Sequence, residues 1–336
     1  MSLRGRVLLT GATGFLGRPT LAALRALGFA VEAVTRRADD PRARAAGDDP
    51  HVRWHALDLL DPRAARALVD HLRPDAVVHC AWHLAPGGRF YHDKTNLRWV
   101  EATLGLLRAC DALPAPARDT SPLADVHGGR RRVVLIGTCV EYDVSDPSLH
   151  DGDCREDATP LRPHTFYGVA KKTLGELARA YTEVSNLSLA WTRPFFLYGP
   201  DEPAGKLIAS VLRTLRDGGV AETTHGRQIR DYIHVADAAD VHARLLLAAD
   251  TGAFNVGTGR ATTVREVVEA AARAAGRPDA IALGARQAPP DEPPRIVADL
   301  TRLRAALPDW RPRFAIDAGV ADCLARLDRS RAAATR

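Results

Sequence analysis

At 336 residues the chain exceeds the usual size of one compact core, so two lobes or one large α/β unit are the natural arrangements. The formal net charge is +5, but the cations are scattered and nearly all arginine, with lysine only at Lys94, Lys171, Lys172 and Lys206, so no nucleic-acid partner is expected. No apolar stretch is long enough to span a bilayer, and Cys80, Cys110, Cys139, Cys154 and Cys323 show neither an even count nor a Cys-x-x-Cys spacing, so neither a disulfide framework nor a structural zinc site is expected.

Arg6 to Thr10 is a short apolar run that stops in glycines, and apolar residues recur at helical spacing from Phe15 to Leu27, which predicts a strand, a tight turn and a helix. Arg4 and Arg6 give the start a superficial likeness to an export signal, but Gly11, Gly14 and Gly17 break the run, so none is read and a reduced, cytoplasmic setting is expected. The three glycines fall as Gly11-x-x-Gly14-x-x-Gly17 between strand and helix. Such residues allow a sharp turn, close approach of backbone to a pyrophosphate, and close packing of helix on sheet. The helix N-terminus adds free N–H groups and partial positive charge, so Gly11, Thr13, Gly14, Phe15, Leu16 and Gly17 form a candidate dinucleotide-binding turn.

The next strand, Ala30–Thr35, ends in Arg36 and Arg37. An NAD site usually has a carboxylate there for the ribose 2′-hydroxyl, whereas arginine suits the 2′-phosphate of NADP, so NADP(H) is favoured and NAD(H) stays open. A strand over Val52–Leu57 ends at Asp58 and Leu59, where an acid can meet the adenine amino group. A helix over Pro62–Leu72, a strand over Ala76–Cys80 and a helix over Asn96–Ala112 follow. Pro114 to Arg130 has no periodicity and reads as an exposed insertion. Strands over Arg132–Thr138 and Leu187–Thr192 flank a helix over Tyr167–Ser185. Strands separated by helices imply parallel pairing, hence an α/β fold with a doubly wound Rossmann sheet.

Tyr167 and Lys171 stand one turn apart on one face of that helix. A phenol alone titrates near pH 10, and a neighbouring cation favours the phenolate, so the pair is a candidate proton relay. After Pro200 helices are expected over Gly205–Asp217, Val235–Ala249, Val264–Ala275 and Ala315–Leu327, with short strands over Arg230–His234 and Phe254–Val256. We therefore expect residues 1–193, with a return segment 230–258, to bind the dinucleotide, and 194–229 with 259–329 to form a smaller mixed α/β substrate lobe. Pro289, Pro290, Pro293 and Pro294 mark a loop, and Ser330 to Arg336 reads as a frayed tail.

The ordered segments LLTGATGFLG, VVHCAW, VVLIGTCVEYD, TFYGVAKK, RPFFLYGP, HGRQIRDYIHVADAADV, FNVGTGRATTVREV and IVADLTRLRAALPDWRPR run from about Val7 to Arg326. Through them the chain resembles the extended short-chain dehydrogenase/reductases that modify nucleotide sugars, a group of epimerases, 4,6-dehydratases and 4-ketoreductases. The resemblance implies that Tyr167 gives or takes the proton, Lys171 binds the nicotinamide ribose and lowers the Tyr167 pKa, and Thr138 hydrogen-bonds the substrate oxygen. It places Ala81 and Trp82 along the cofactor and Pro194 and Phe195 beside the nicotinamide. It gives Arg230 to the diphosphate of a nucleoside-diphosphate sugar, with Arg286 or Arg295 as a second basic group, and Lys206 and Leu207 to the base. His83 could face the substrate, and Asn96 sits where the family often uses asparagine structurally.

Two departures bear on the reaction. The 4,6-dehydratases carry an Asp-Glu pair after the Thr, where this chain has Cys139 and Val140, so elimination has no evident catalyst unless Glu141 or Glu156 swings in. Phe196 replaces an asparagine that in many relatives touches the substrate phosphate. The expectation is NADPH-dependent reduction of a 4-keto group on a nucleoside-diphosphate (6-deoxy)hexose. The alternatives are a 4-epimerase with bound NAD and a non-catalytic dinucleotide sensor. The resemblance also implies a homodimer through the helices beginning near Asn96 and Tyr167. No metal is expected.

Overall fold

The computed structural model describes residues 3–44, 49–84, 86–116, 121–146, 149, 152–290 and 292–334. The first half alternates β1 (Arg6–Thr10), α1 (Gly17–Ala26), β2 (Ala30–Thr35), α2 (Pro41–Arg44), β3 (Val52–Ala56), α3 (Pro62–Leu72), β4 (Ala76–His79), α4 (Thr95–Asp111), α5 (Pro122–Val126), β5 (Arg131–Ile136), α6 (Phe166–Glu183) and β6 (Leu187–Pro194). Then come β7 (Phe196–Tyr198), α7 (Leu207–Arg216), β8 (Ala221–Thr223), β9 (Ile229–Arg230), β10 (Tyr232–His234), α8 (Val235–Arg244) and β11 (Gly252–Val256). The chain closes with β12 (Thr262–Thr263), α9 (Val264–Ala274), β13 (Ile281–Leu283), β14 (Arg295–Ile296), α10 (Thr301–Ala306) and α11 (Ile316–Ala334).

Seven strands form one parallel sheet in the order β11-β6-β5-β4-β1-β2-β3. Side chains alternate across a strand, and the sequence of β1 obeys this on both faces. Val7 and Leu9 enter the core shared with Leu21 and Leu24 of α1 and Val241 of α8, while Leu8 enters the core shared with Val69 of α3, Leu107 of α4 and Leu174 of α6. A third core joins Leu212 of α7, Val268 of α9 and Val320 of α11. Around it lie three small sheets, β10 with β7, β12-β9-β14, and β13 with β8.

The expected doubly wound α/β sheet is thus present, with differences that have physical causes. Pro114–Arg130 is not an exposed insertion where it is described. Pro122 opens α5, and Leu123, Ala124 and His127 are buried under the start of β5. The strand expected over Arg230–His234 is interrupted at Asp231, whose buried carboxylate accepts the amides of Thr258 (2.8 Å) and Gly259 (2.9 Å). The tail expected from Ser330 is helical as far as Ala334, and 335–336 lie outside the described residues. All five cysteines are free thiols. Across the molecule, Asp201 receives Arg18 of α1 (2.8 Å) and Arg326 of α11 (3.0 Å).

Candidate active site

The strand ends at the C-terminal edge of the sheet build the site, as the physics of open α/β sheets requires. Gly11 sits at φ 67°, and a Cβ there would stand 2.8 Å from the Ala81 backbone at the end of β4. A Cβ on Gly17 would overlap the Gly11 carbonyl. The turn closes through Gly14 N–H to the Gly11 carbonyl at 2.9 Å. Leu16 provides no side-chain cap, and the N–H groups of Phe15, Leu16 and Gly17 have no partner among the described residues. This is an open, electropositive cradle at the start of a ten-residue helix, lined by backbone alone.

At the end of β2 the two arginines differ. Arg37 is forked onto Asp39 at 2.9 and 2.8 Å, and that pairing raises its pKa. Arg36 is exposed and has no hydrogen-bond or ion-pair partner among the described residues. Asp58 is exposed and accepts the Leu60 amide at 3.0 Å, while Leu59 is buried.

Past β4 the chain turns into an aromatic cluster. Trp82 stacks on Trp99 at 6.1 Å and meets the edge of Tyr167 at 6.2 Å. Its Nε1–H donates to Asn96 Oδ1 at 2.8 Å, and the Asn96 amide donates in turn to the Phe90 and Asp93 carbonyls at 2.7 and 2.8 Å. Asn96 thereby fixes the Pro86–His92 turn, which presents Phe90 edge-on to Tyr167 at 5.1 Å. His83 is exposed and makes no hydrogen bond among the described residues.

Thr138 follows β5 and opens a short 3-10 turn at Cys139–Glu141. Its amide donates to Glu141 Oε1 at 2.9 Å, and its Oγ1 accepts the Val140 amide at 3.4 Å. The Glu141 carboxylate is fully buried and also receives Arg193 Nε at 2.7 Å and Trp191 Nε1 at 3.1 Å. Arg193 reaches the Tyr142 hydroxyl at 3.1 Å, which donates to Asn255 at 2.7 Å. Glu156 accepts the Asn255 amide at 2.7 Å, and burial raises its pKa.

Helix α6 is capped by Thr165, which accepts the Gly168 amide at 3.1 Å, and this cap aims Tyr167 and Lys171 at the strand ends. Both side chains are buried. Lys171 Nζ donates to the Ile136 carbonyl at 2.6 Å and lies 3.5 Å above the Trp82 ring and 6.0 Å from the Tyr167 ring centre. Burial brings Lys171 down to about 7, against the opposing charge of Glu141. Burial also pushes the Tyr167 phenol above its usual range, and the group that most favours the phenolate is the neighbouring Thr138 side chain.

On the other side, Phe195 packs beneath Tyr142, and Phe196 lies 5.5 Å from the Arg230 guanidinium. Arg230 is buried and paired with Glu292 at 3.0 Å, and Glu292 also accepts Gln228 Nε2 at 2.9 Å. A cavity of about 310 Å³ opens beside this pair, lined by His225, Arg227, Gln228, Pro289, Pro290 and Glu292. Arg295 is engaged by Asp153 and the Gly152 carbonyl, and Arg286 is exposed with Glu222 at 3.8 Å, so neither shares the Arg230 ion pair. Lys206 is exposed ahead of α7, and Leu207 is half-buried.

The profile of the NAD dependent epimerase/dehydratase family matches residues 7–257. The chain belongs to this epimerase/dehydratase family. Among relatives, it is 29% identical to a UDP-glucose 4-epimerase of Azospirillum brasilense, covering 92% of this chain and 87% of that one. It is 30% identical to a dTDP-4-dehydro-6-deoxy-D-allose reductase of Streptomyces bikiniensis over 91% of both chains. Among solved structures, the Thermus thermophilus UDP-glucose 4-epimerase in complex with NAD superposes with a TM-score of 0.75 at 26% identity, covering 96% of this chain and 99% of that one.

For an epimerase/dehydratase family member a nicotinamide dinucleotide is the natural cofactor, and the bare-backbone cradle at Gly11–Gly17 fits its pyrophosphate. The two carboxylates nearest to a role in elimination are spoken for, Glu141 by Arg193, Trp191 and Thr138, and Glu156 by the Asn255 backbone. The anchoring part of Glu141 is legible in the sequence as a Thr-x-x-Glu capping box, Thr138 to Glu141. The Glu292 partner of Arg230 carried no such signal, because 62 residues separate the two.

Proposed function

We propose that this protein is an NADPH-dependent 4-ketoreductase of a nucleoside-diphosphate (6-deoxy)hexose. The observation that carries the reading is that Lys171 Nζ lies 6.0 Å from the Tyr167 ring centre and Thr138 favours the Tyr167 phenolate, while Glu141 and Glu156 are both tied down, so no free carboxylate pair for elimination follows Thr138 among the described residues. A bound nicotinamide dinucleotide supplies the hydride. Thr138 holds the substrate oxygen, Tyr167 protonates it, and Lys171 binds ribose hydroxyls and stabilises the phenolate left on Tyr167. Ala81, Pro194 and Phe195 line the cofactor, with Leu59 and Asp58 at its adenine. Arg36, exposed and unpaired among the described residues, suits the 2′-phosphate of NADP and supports a net reductase over an epimerase, which keeps its cofactor through both half-reactions.

Segments 194–229 and 259–329 make up the substrate lobe in this reading. Arg230 meets the diphosphate beside Phe196, with Lys206 and Leu207 toward the base and His83 and Cys139 toward the sugar. Leu97, Phe166, Val169 and Leu177, exposed on α4 and α6, support a homodimer through those helices.

The deciding experiment is to identify the nucleotide retained by purified protein and then to follow NADPH oxidation with nucleoside-diphospho-4-keto-6-deoxyhexoses. Consumption of NADPH is the expected result. Tightly held NAD with interconversion of two nucleotide hexoses, and no NADPH oxidation, establishes the 4-epimerase instead.

A further inference from the structure

The geometry points to Trp82 as a positioning residue whose indole face is the seat of the Lys171 ammonium, holding that cation beside Tyr167. The inference rests on the relay role of Lys171 and assigns Trp82 a part beyond lining the cofactor. Lys171 is buried, and of its three N–H donors one is met by the Ile136 carbonyl at 2.6 Å. Among the described residues no carboxylate lies within ion-pair distance of it. The acid that most favours its charge, Glu141, is committed to Arg193, Trp191 and Thr138. What faces the ammonium instead is the Trp82 ring, 3.5 Å from its centre, and an indole face is the strongest cation-binding surface an aromatic side chain offers.

The seat is itself locked. The indole N–H is bonded to Asn96, Asn96 is bonded to two carbonyls of the Phe90–Asp93 turn, and Trp99 backs the ring. A residue that merely lined a cofactor would need neither an anchored N–H nor a cation on its face. The other titratable groups around Lys171 are the Cys80 thiol and the His79 imidazole from the end of β4, Glu141 from the turn after β5, and Tyr167 one turn earlier on α6.

The test is direct titration of Lys171 by ¹⁵N-lysine NMR, in which K171R assigns one signal among only four lysines. W82L keeps apolar burial but removes the ring's quadrupole, and the Lys171 pKa is expected to fall by about one pH unit, a tenfold change in its ionisation constant. W82F keeps a weaker aromatic face and is expected to give a fall of a few tenths, which also serves if W82L does not fold. In both variants the alkaline limb of the pH profile moves down with the titration. An unchanged or raised Lys171 pKa overturns the seat. Undiminished turnover in Y167F overturns the relay reading instead, and the titration needs no turnover, so the two failures are told apart.

Discussion

The Glu141 carboxylate lies 2.9 Å from the Thr138 amide through one oxygen and 2.7 Å from Arg193 Nε through the other, so one buried anion pins the ends of β5 and β6 together. Removing it strands the Arg193 cation in the interior. Glu141→Ala is expected to cost about 3–5 kcal/mol of stability by chemical denaturation, the usual penalty for breaking a buried pair from one side. Folded E141A is expected to lose turnover while dinucleotide affinity, measured by titration, stays near wild type.

Tyr167→Phe deletes a single hydroxyl at the meeting point of Thr138 and the aromatic cluster. With the proton donor gone, kcat is expected to fall by on the order of 10²–10⁴. Dinucleotide binding, read by fluorescence quenching, should be within about twofold of wild type, because Lys171 keeps its own partners at Ile136 and Trp82. A drop confined to KM would contradict the assignment.

Arg36 and Arg37 are adjacent but should not behave alike. Arg37 is already forked onto Asp39, whereas Arg36 is unpaired among the described residues. Arg36→Ala is expected to raise the KM for NADPH on the order of tenfold to a hundredfold with little change for NADH, the size of one lost charge-assisted contact. Arg37→Ala should have a clearly smaller effect in the same assay.

Glu202 gives a signature in stability. Its carboxyl is buried before α7 and accepts the Ala209 amide at 3.2 Å, and burial raises its pKa from 4.5 to about 7. A raised folded-state value means that the native state binds the proton more tightly, so the contribution is complete below about pH 4.5 and is lost as pH rises through about 7. The shift corresponds to roughly 3 kcal/mol. Glu202→Gln cannot ionise, so its stability relative to wild type should improve between pH 5 and pH 8 (about 3 kcal/mol at most). Parallel stability curves for the two proteins over that range would refute this.

Sequence pattern revealed most of the sheet, because β1, β4 and β5 each hold a short apolar run, β2 is apolar apart from Glu32 and its terminal Thr35, and the crossovers carry helical spacing. It was less informative where tertiary contacts decide. Leu123 and His127 look like loop residues until Leu123 joins the core with Val241 of α8 and His127 meets the Leu246 carbonyl just after that helix. The break at Asp231 depends on amides 27 and 28 residues away. At the candidate site the glycine turn and the Tyr167–Lys171 spacing were readable because their geometry is local. The surroundings of Lys171 were not, since they come from Trp82, 89 residues earlier, and from the end of β5. The charge that reaches Arg230 likewise comes from the proline-rich loop.

Asp201 takes a left-handed backbone at φ 65°, an uncommon setting for a residue with a side chain, and there it gathers Arg18 and Arg326. Arg18 belongs to the first turn of the helix that faces the dinucleotide cradle, and Arg326 to the last helix of the chain. A truncation that removes Arg326 therefore takes away one of the two guanidiniums gathered on Asp201, and with it the bridge from the last helix to α1. The last helix of the chain is in this way tied through one carboxylate to the helix that follows the glycine turn, so two segments more than 300 residues apart in sequence share a single anchoring charge.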